Sequence, residues 1–78
     1  MNITVLALDC PSCRRFEEHV HTAIRNLNID PEIERLTDVE DMMNLGIVSS
    51  PALIIDDEIK SSGKVLSVDQ IERFLQDQ

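Results

Sequence analysis

The chain has no tryptophan, no tyrosine and only two phenylalanines among its 78 residues. Its core must therefore be aliphatic, and isoleucine, leucine and valine supply most of an apolar fraction of 42%. Basic residues are scarce too: seven stand against fifteen acidic ones, for a formal charge of −8. Without a basic stripe to release counterions, nucleic acid and anionic membranes are poor partners. The acidity itself reads as a solvated surface, or as a preference for positively charged partner surfaces. Two glycines and three prolines leave little linker or low-complexity sequence.

No segment approaches the roughly 20 apolar residues of a membrane span. Met1-Asn2 carries no basic region of a signal peptide, and the apolar run to Leu8 is interrupted by Thr4 and stopped by Asp9. The expectation is one small domain over residues 1–78 in the cytoplasm, with fraying confined to Gln76-Asp77-Gln78. A domain this short buries only about 60–65% of its unfolded surface, so it must be economical.

Both cysteines stand in one motif, Cys10-Pro11-Ser12-Cys13. Before it, Ile3 to Leu8 reads as a buried strand. After it, Phe16, Val20, Ala23, Ile24 and Leu27 form one apolar helical stripe, with Arg14, Glu17, Glu18, His21 and Arg25 on the other faces. The motif is therefore a strand-to-helix turn with Cys10 at or just before the first helical turn. Unpaired backbone N–H groups and the positive end of the helix dipole favour an anion there, and a thiolate is such an anion. Pro11 suits the first helical position, where its missing N–H costs nothing. Arg14 and Arg15 add positive charge, while Asp9 beside Cys10 opposes it. A lone C-x-x-C in a reducing compartment beside a βαβ pattern points to redox chemistry.

Further along, Asn26 to Pro31 breaks the helix and Glu32 to Leu36 reads as a short strand. Thr37-Asp38-Val39-Glu40 reads as a capping box with Thr37 as N-cap, opening a short helix through Met42 and Met43 that Gly46 ends. Both methionines are expected to fill the core. Ala52 to Ile55 and Glu58 to Ser61 read as a hairpin turning at Asp56-Asp57. Ser61-Ser62-Gly63 turns the chain, and Ser67-Val68-Asp69-Gln70 caps a last helix that carries Ile71, Phe74 and Leu75 inward. The order β-α-β-α-β-β-α predicts an α/β fold: a four-stranded mixed sheet with helices on both faces and the cysteines at the carboxyl end of the first strand.

That order, the C-x-x-C after the first strand and Ser50-Pro51 before an apolar strand together resemble the thioredoxin fold in its minimal, glutaredoxin-sized form. More narrowly, three segments are similar to the small thioredoxin-like proteins labelled redox-active disulfide proteins. They are Ala7 to Cys13, Gly46 to Asp56 and Ser62-Gly63-Lys64-Val65. The resemblance implies a thiol–disulfide oxidoreductase of electron transport and redox homeostasis, with no cofactor and no metal. It implies Cys10 as nucleophile and Cys13 as the more buried resolving thiol. Pro51 would be a cis-proline and the Ser50 backbone would pair with an extended substrate segment, with Pro11 and Ser12 completing the docking surface. Implied partners are a disulfide-containing protein substrate and a dedicated reductase, with the protein itself a monomer.

The chain also departs from the families it resembles. Asp9 and Pro11-Ser12 stand where thioredoxins proper carry Trp and Gly-Pro, and Thr4 stands where they carry a buried aspartate. The Gly-Gly-Asp element of glutathione-binding glutaredoxins is missing, which argues against glutathione as reductant.

Competing uses of the motif are weaker. A structural disulfide across so short a loop stabilises little by chain entropy. Zinc wants four ligands, and His19, one candidate besides His21, lies about 9 Å beyond Cys13 along the same helix. Both histidines read instead as surface residues. Arg35 reads as an edge or solvent residue, and Lys60 and Lys64 as candidates for the partner face. The rival class is a metal or iron–sulfur cluster module bridged between two chains through Cys10 and Cys13, by analogy with some glutaredoxins.

Overall fold

The computed structural model describes residues 1–77. The elements run β1 (Asn2–Leu6), α1 (Pro11–Leu27), β2 (Glu32–Leu36), α2 (Val39–Asn44), β3 (Ala52–Ile55), β4 (Glu58–Ser62) and α3 (Val68–Gln76). The strands form one sheet in the order β2-β1-β3-β4. β1 pairs parallel with β2, from Asn2 opposite Glu32 to Leu6 opposite Leu36. Parallel neighbours need a long crossover, which α1 supplies. β3 runs antiparallel to both β1 and β4. The two-residue turn between β3 and β4 holds Asp56 and Asp57 at φ 50° and 67°. Both values are positive, as a type I′ hairpin requires, and aspartate tolerates them better than most residues.

Strand alternation divides the core in two. Ile3 and Val5 of β1 with Leu53 and Ile55 of β3 face one side, where Phe16, Val20, Ala23 and Ile24 of α1 and Ile71 and Leu75 of α3 cover them. Leu6, Ala52 and Ile54 face the other side, against Ile47 and half-buried Met42 and Leu36. All four residues of β3 are buried because both faces of the sheet are covered there. Helices thus lie on both faces, α1 and α3 on one and α2 on the other.

Four local expectations need correction. β1 ends at Leu6 rather than Leu8; Ala7 N–H still donates to Leu36 C=O at 3.0 Å, and Leu8 then leaves the ladder to form the turn. The N-cap of α2 is Asp38 rather than Thr37, its carboxylate accepting from Glu40 N–H at 3.1 Å. Asp38 lies one residue further from the end of β2, and its shorter reach to N2 replaces the box Thr37 would have made. Met43 is 69% exposed rather than core, since adjacent helical residues point about 100° apart and Met42 takes the inward position. β4 runs one residue further than expected, to Ser62, so the turn starts at Gly63 rather than at Ser61. At the chain end Gln76 closes α3 and Asp77 caps it, whereas Gln78 lies outside the described residues.

The remaining punctuation follows the sequence. Gly46 at φ 75° ends α2 with its N–H on Met43 C=O, followed by Ile47 N–H on Met42 C=O, the two bonds of a Schellman ending. Ser67 and Gln70 form a reciprocal capping box at the start of α3. No helix among the described residues is long and apolar enough to cross a membrane.

Candidate active site

Cys10 is the N-cap of α1. Its backbone is extended, at φ −150° and ψ 156°, and its Sγ accepts the Cys13 N–H at 3.1 Å. Serine or aspartate oxygens ordinarily fill this role, satisfying one of the orphan donors of a helix start. Here a sulfur does it. Pro11 follows at the first helical position, and Cys10 C=O accepts Arg14 N–H to close the first turn. Cys10 and Cys13 are joined as a disulfide, with Cα atoms 5.1 Å apart.

The two sulfurs differ in access. Cys13 is 0% exposed and belongs to the apolar cluster beneath α1, whereas Cys10 stays partly open at the end of the sheet. Ser12 Oγ lies 3.5 Å from Cys10 Sγ. Across the site, Ser50 Oγ lies 3.9 Å from Cys13 Sγ. The Ser50–Pro51 peptide is cis, as the resemblance implied, and Pro51 is buried. Gly63 N–H donates to Pro51 C=O at 2.8 Å, tying the end of β4 to the loop that carries Ser50.

Charges around the motif are largely exposed. Asp9 pairs with Arg14 at 3.0 Å, with side chains 87% and 74% exposed, so the carboxylate that opposes a thiolate at Cys10 is partly offset by its own neighbour. Arg15 is exposed. Arg35 on the edge strand β2 donates to Glu17 of α1 at 2.7 Å. That hydrogen bond, then the Glu17 charge, holds the guanidinium above its ordinary pKa; burial opposes this and Asp9 adds to it. Lys60 is held by Glu58 at 3.1 Å, and Lys64 is exposed beyond Gly63.

The histidines part company. His21 is exposed, but His19 is half-buried, with Nδ1 2.8 Å from Leu66 C=O, linking α1 to the segment before α3. Among the described residues no group of three or more His, Cys, Asp and Glu side chains is placed to hold a metal ion.

Sequence reasoning thus placed Cys10, Pro11, Ser12, Cys13, Ser50 and Pro51, and the fold brings all six together. It missed Gly63 and the hydroxyl of Ser50 as neighbours of the site. A glycine at the end of a strand was the available signal, since it often marks a close backbone approach.

Residues 1–76 match the family model described as the thioredoxin domain. The chain belongs to this family. A protein named thioredoxin from Methanothermobacter thermautotrophicus is 29% identical over 75 residues, covering 96% of this chain and 97% of its own. Another named thioredoxin, from Methanocaldococcus jannaschii, is 36% identical over 73 residues, covering 94% of this chain and 84% of its own. As a thioredoxin-family protein with a Cys10–Cys13 disulfide, the chain is a thiol–disulfide oxidoreductase.

Proposed function

We propose that this protein reduces disulfides in protein partners, with Cys10 as attacking thiol and Cys13 as resolving thiol. The observation that carries the assignment is the asymmetry of the pair. Cys10 is partly exposed and its Sγ receives the Cys13 N–H at the start of α1, which favours its thiolate, whereas Cys13 is fully buried. In the first step the Cys10 thiolate forms an S–S bond to one partner sulfur. The partner disulfide breaks, and its other sulfur departs with the bonding pair and takes a proton from water. Cys13 then attacks Cys10 Sγ, forming the Cys10–Cys13 bond and releasing the second partner thiol. The partner has gained two electrons and two protons, and the protein has become the disulfide described above.

Ser50, Pro11 and Ser12 form the docking surface in this reading, over the buried Pro51, with the Ser50 backbone offered to an extended partner segment. A dedicated dithiol reductase returns two electrons to the disulfide, in the cytoplasm, with the protein acting as a monomer. The absence of paired glycines after β4 favours such a reductase over glutathione.

The test is mutational. Cys10→Ser abolishes reduction of insulin disulfides, and Cys13→Ser accumulates partners as stable mixed disulfides that thiol reagents release. Wild-type turnover in Cys10→Ser overturns the assignment. So does a stoichiometric, cysteine-dependent metal or iron–sulfur cluster in protein prepared without oxygen.

A further inference from the structure

The resolving step needs Cys13 as a thiolate, and its surroundings are hostile to one. Cys13 is fully buried among apolar residues including Ala7, Phe16 and Leu53. Burial in such a medium disfavours the charged form of a thiol. The helix terminus does not help, because the Cys13 N–H is directed at Cys10 Sγ and the Arg14 N–H at Cys10 C=O. No carboxylate stands behind the sulfur either: among the described residues no polar or charged residue is buried. Thr4, on the neighbouring strand β1, alternates to the face opposite Ile3 and Val5 and so away from the cluster that holds Cys13.

Among the described residues, one polar side chain comes within reach of Cys13 Sγ. Ser50 Oγ lies 3.9 Å away, half-buried, on a loop anchored by the Gly63-to-Pro51 hydrogen bond. The geometry points to the Ser50 hydroxyl as a further catalytic residue, which stabilises the Cys13 thiolate during resolution of the mixed disulfide. In the thiol form Ser50 Oγ accepts the Cys13 S–H. Once that proton has left to water, the hydroxyl rotates and donates to the sulfur anion. The thiolate then attacks Cys10 Sγ, the Cys10–Cys13 bond forms, and the partner sulfur leaves with the electron pair and is protonated by solvent. Hydrogen bonds to charged groups are the strong ones, and in a desolvated site such a bond carries its greatest weight.

The inference rests on Cys13 as resolving thiol, and one experiment separates the two. Fully reduced protein reacts with excess dithiobis(nitrobenzoate) and releases coloured thiolate in two phases. The first reports attack by Cys10 and the second attack by Cys13 on the Cys10 mixed disulfide. Ser50→Val and Ser50→Thr have the same shape but differ in the hydroxyl. The second rate, relative to the first, falls about tenfold in Ser50→Val near neutral pH and is retained in Ser50→Thr. Its pH profile in Ser50→Val moves to higher pH, and the rates of the two variants converge where the thiolate is fully formed. A merely structural role lowers the rate at every pH instead. Equal rates and profiles in the two variants, or a deficit independent of pH, overturn the role of Ser50 and leave the roles of the cysteines intact. A parent protein that releases one equivalent of coloured thiolate and keeps the other on Cys10 overturns Cys13 as resolving thiol, and this inference with it.

Discussion

Gly63 lies so close to Ser49 that a Cβ on the glycine would stand 2.9 Å from the Cβ of the serine. Its φ of 78° is in the left-handed region, and its N–H holds Pro51 C=O. The turn after β4 therefore presses against the loop that carries Ser50. Gly46 offers a built-in comparison, with nearly the same φ of 75° but nothing beyond its adjoining backbone within 4 Å of where its Cβ would be. Gly46→Ala should cost about 1 kcal/mol, the left-handed penalty alone. Gly63→Ala should cost about 2–3 kcal/mol, because the contact adds to the same penalty. Urea denaturation of both variants measures the difference, and equal losses would show that Ser49 yields freely. Only Gly63→Ala should also slow disulfide reduction, because only it displaces the Ser50 loop.

The start of α2 provides a second test. Asp38→Ala removes the carboxylate that accepts Glu40 N–H and should destabilise the protein by about 1 kcal/mol. Thr37→Ala should stay within about 0.5 kcal/mol, the range of an exposed residue without a structural role. A larger loss in Thr37→Ala would return the cap to the threonine.

The Asp9–Arg14 pair predicts a graded effect on the reactivity of Cys10. Arg14→Ala leaves the carboxylate uncompensated beside the sulfur and disfavours the thiolate, so alkylation of the reduced protein at pH 7 slows roughly two- to fivefold. Asp9→Asn should accelerate it by a similar factor. Both effects should shrink in molar salt, where screening reaches about 3 Å. Alkylation rates by mass spectrometry at low and high salt decide the matter, and insensitivity to both substitutions would mean that solvent already neutralises the pair.

Much of the fold was legible because local rules agreed with tertiary need. The stripe from Phe16 to Leu27 and the serine-glutamine box at Ser67 each fix an element with its own nearby chemistry. Two adjacent candidates defeated the same logic. Thr37 and Asp38 are both competent caps, and the choice depends on how the chain leaves β2. Met42 and Met43 are equally apolar, and the choice depends on which side of a six-residue helix meets the sheet. At the site, the motif gave Cys10 and Cys13 and the family resemblance gave Ser50 and Pro51, whereas the approach of the Ser50 hydroxyl to Cys13 spans 37 positions and depends on the pairing of β3 with β1. Only the assembled sheet reveals it.

The burial of Cys13 beneath a partly open Cys10 has a kinetic corollary. A donor dithiol and an acceptor disulfide have one accessible sulfur between them, so they cannot occupy the protein together. Each must visit and depart before the other arrives. Turnover with varied donor and acceptor should therefore follow a ping-pong pattern, with parallel lines in double-reciprocal plots.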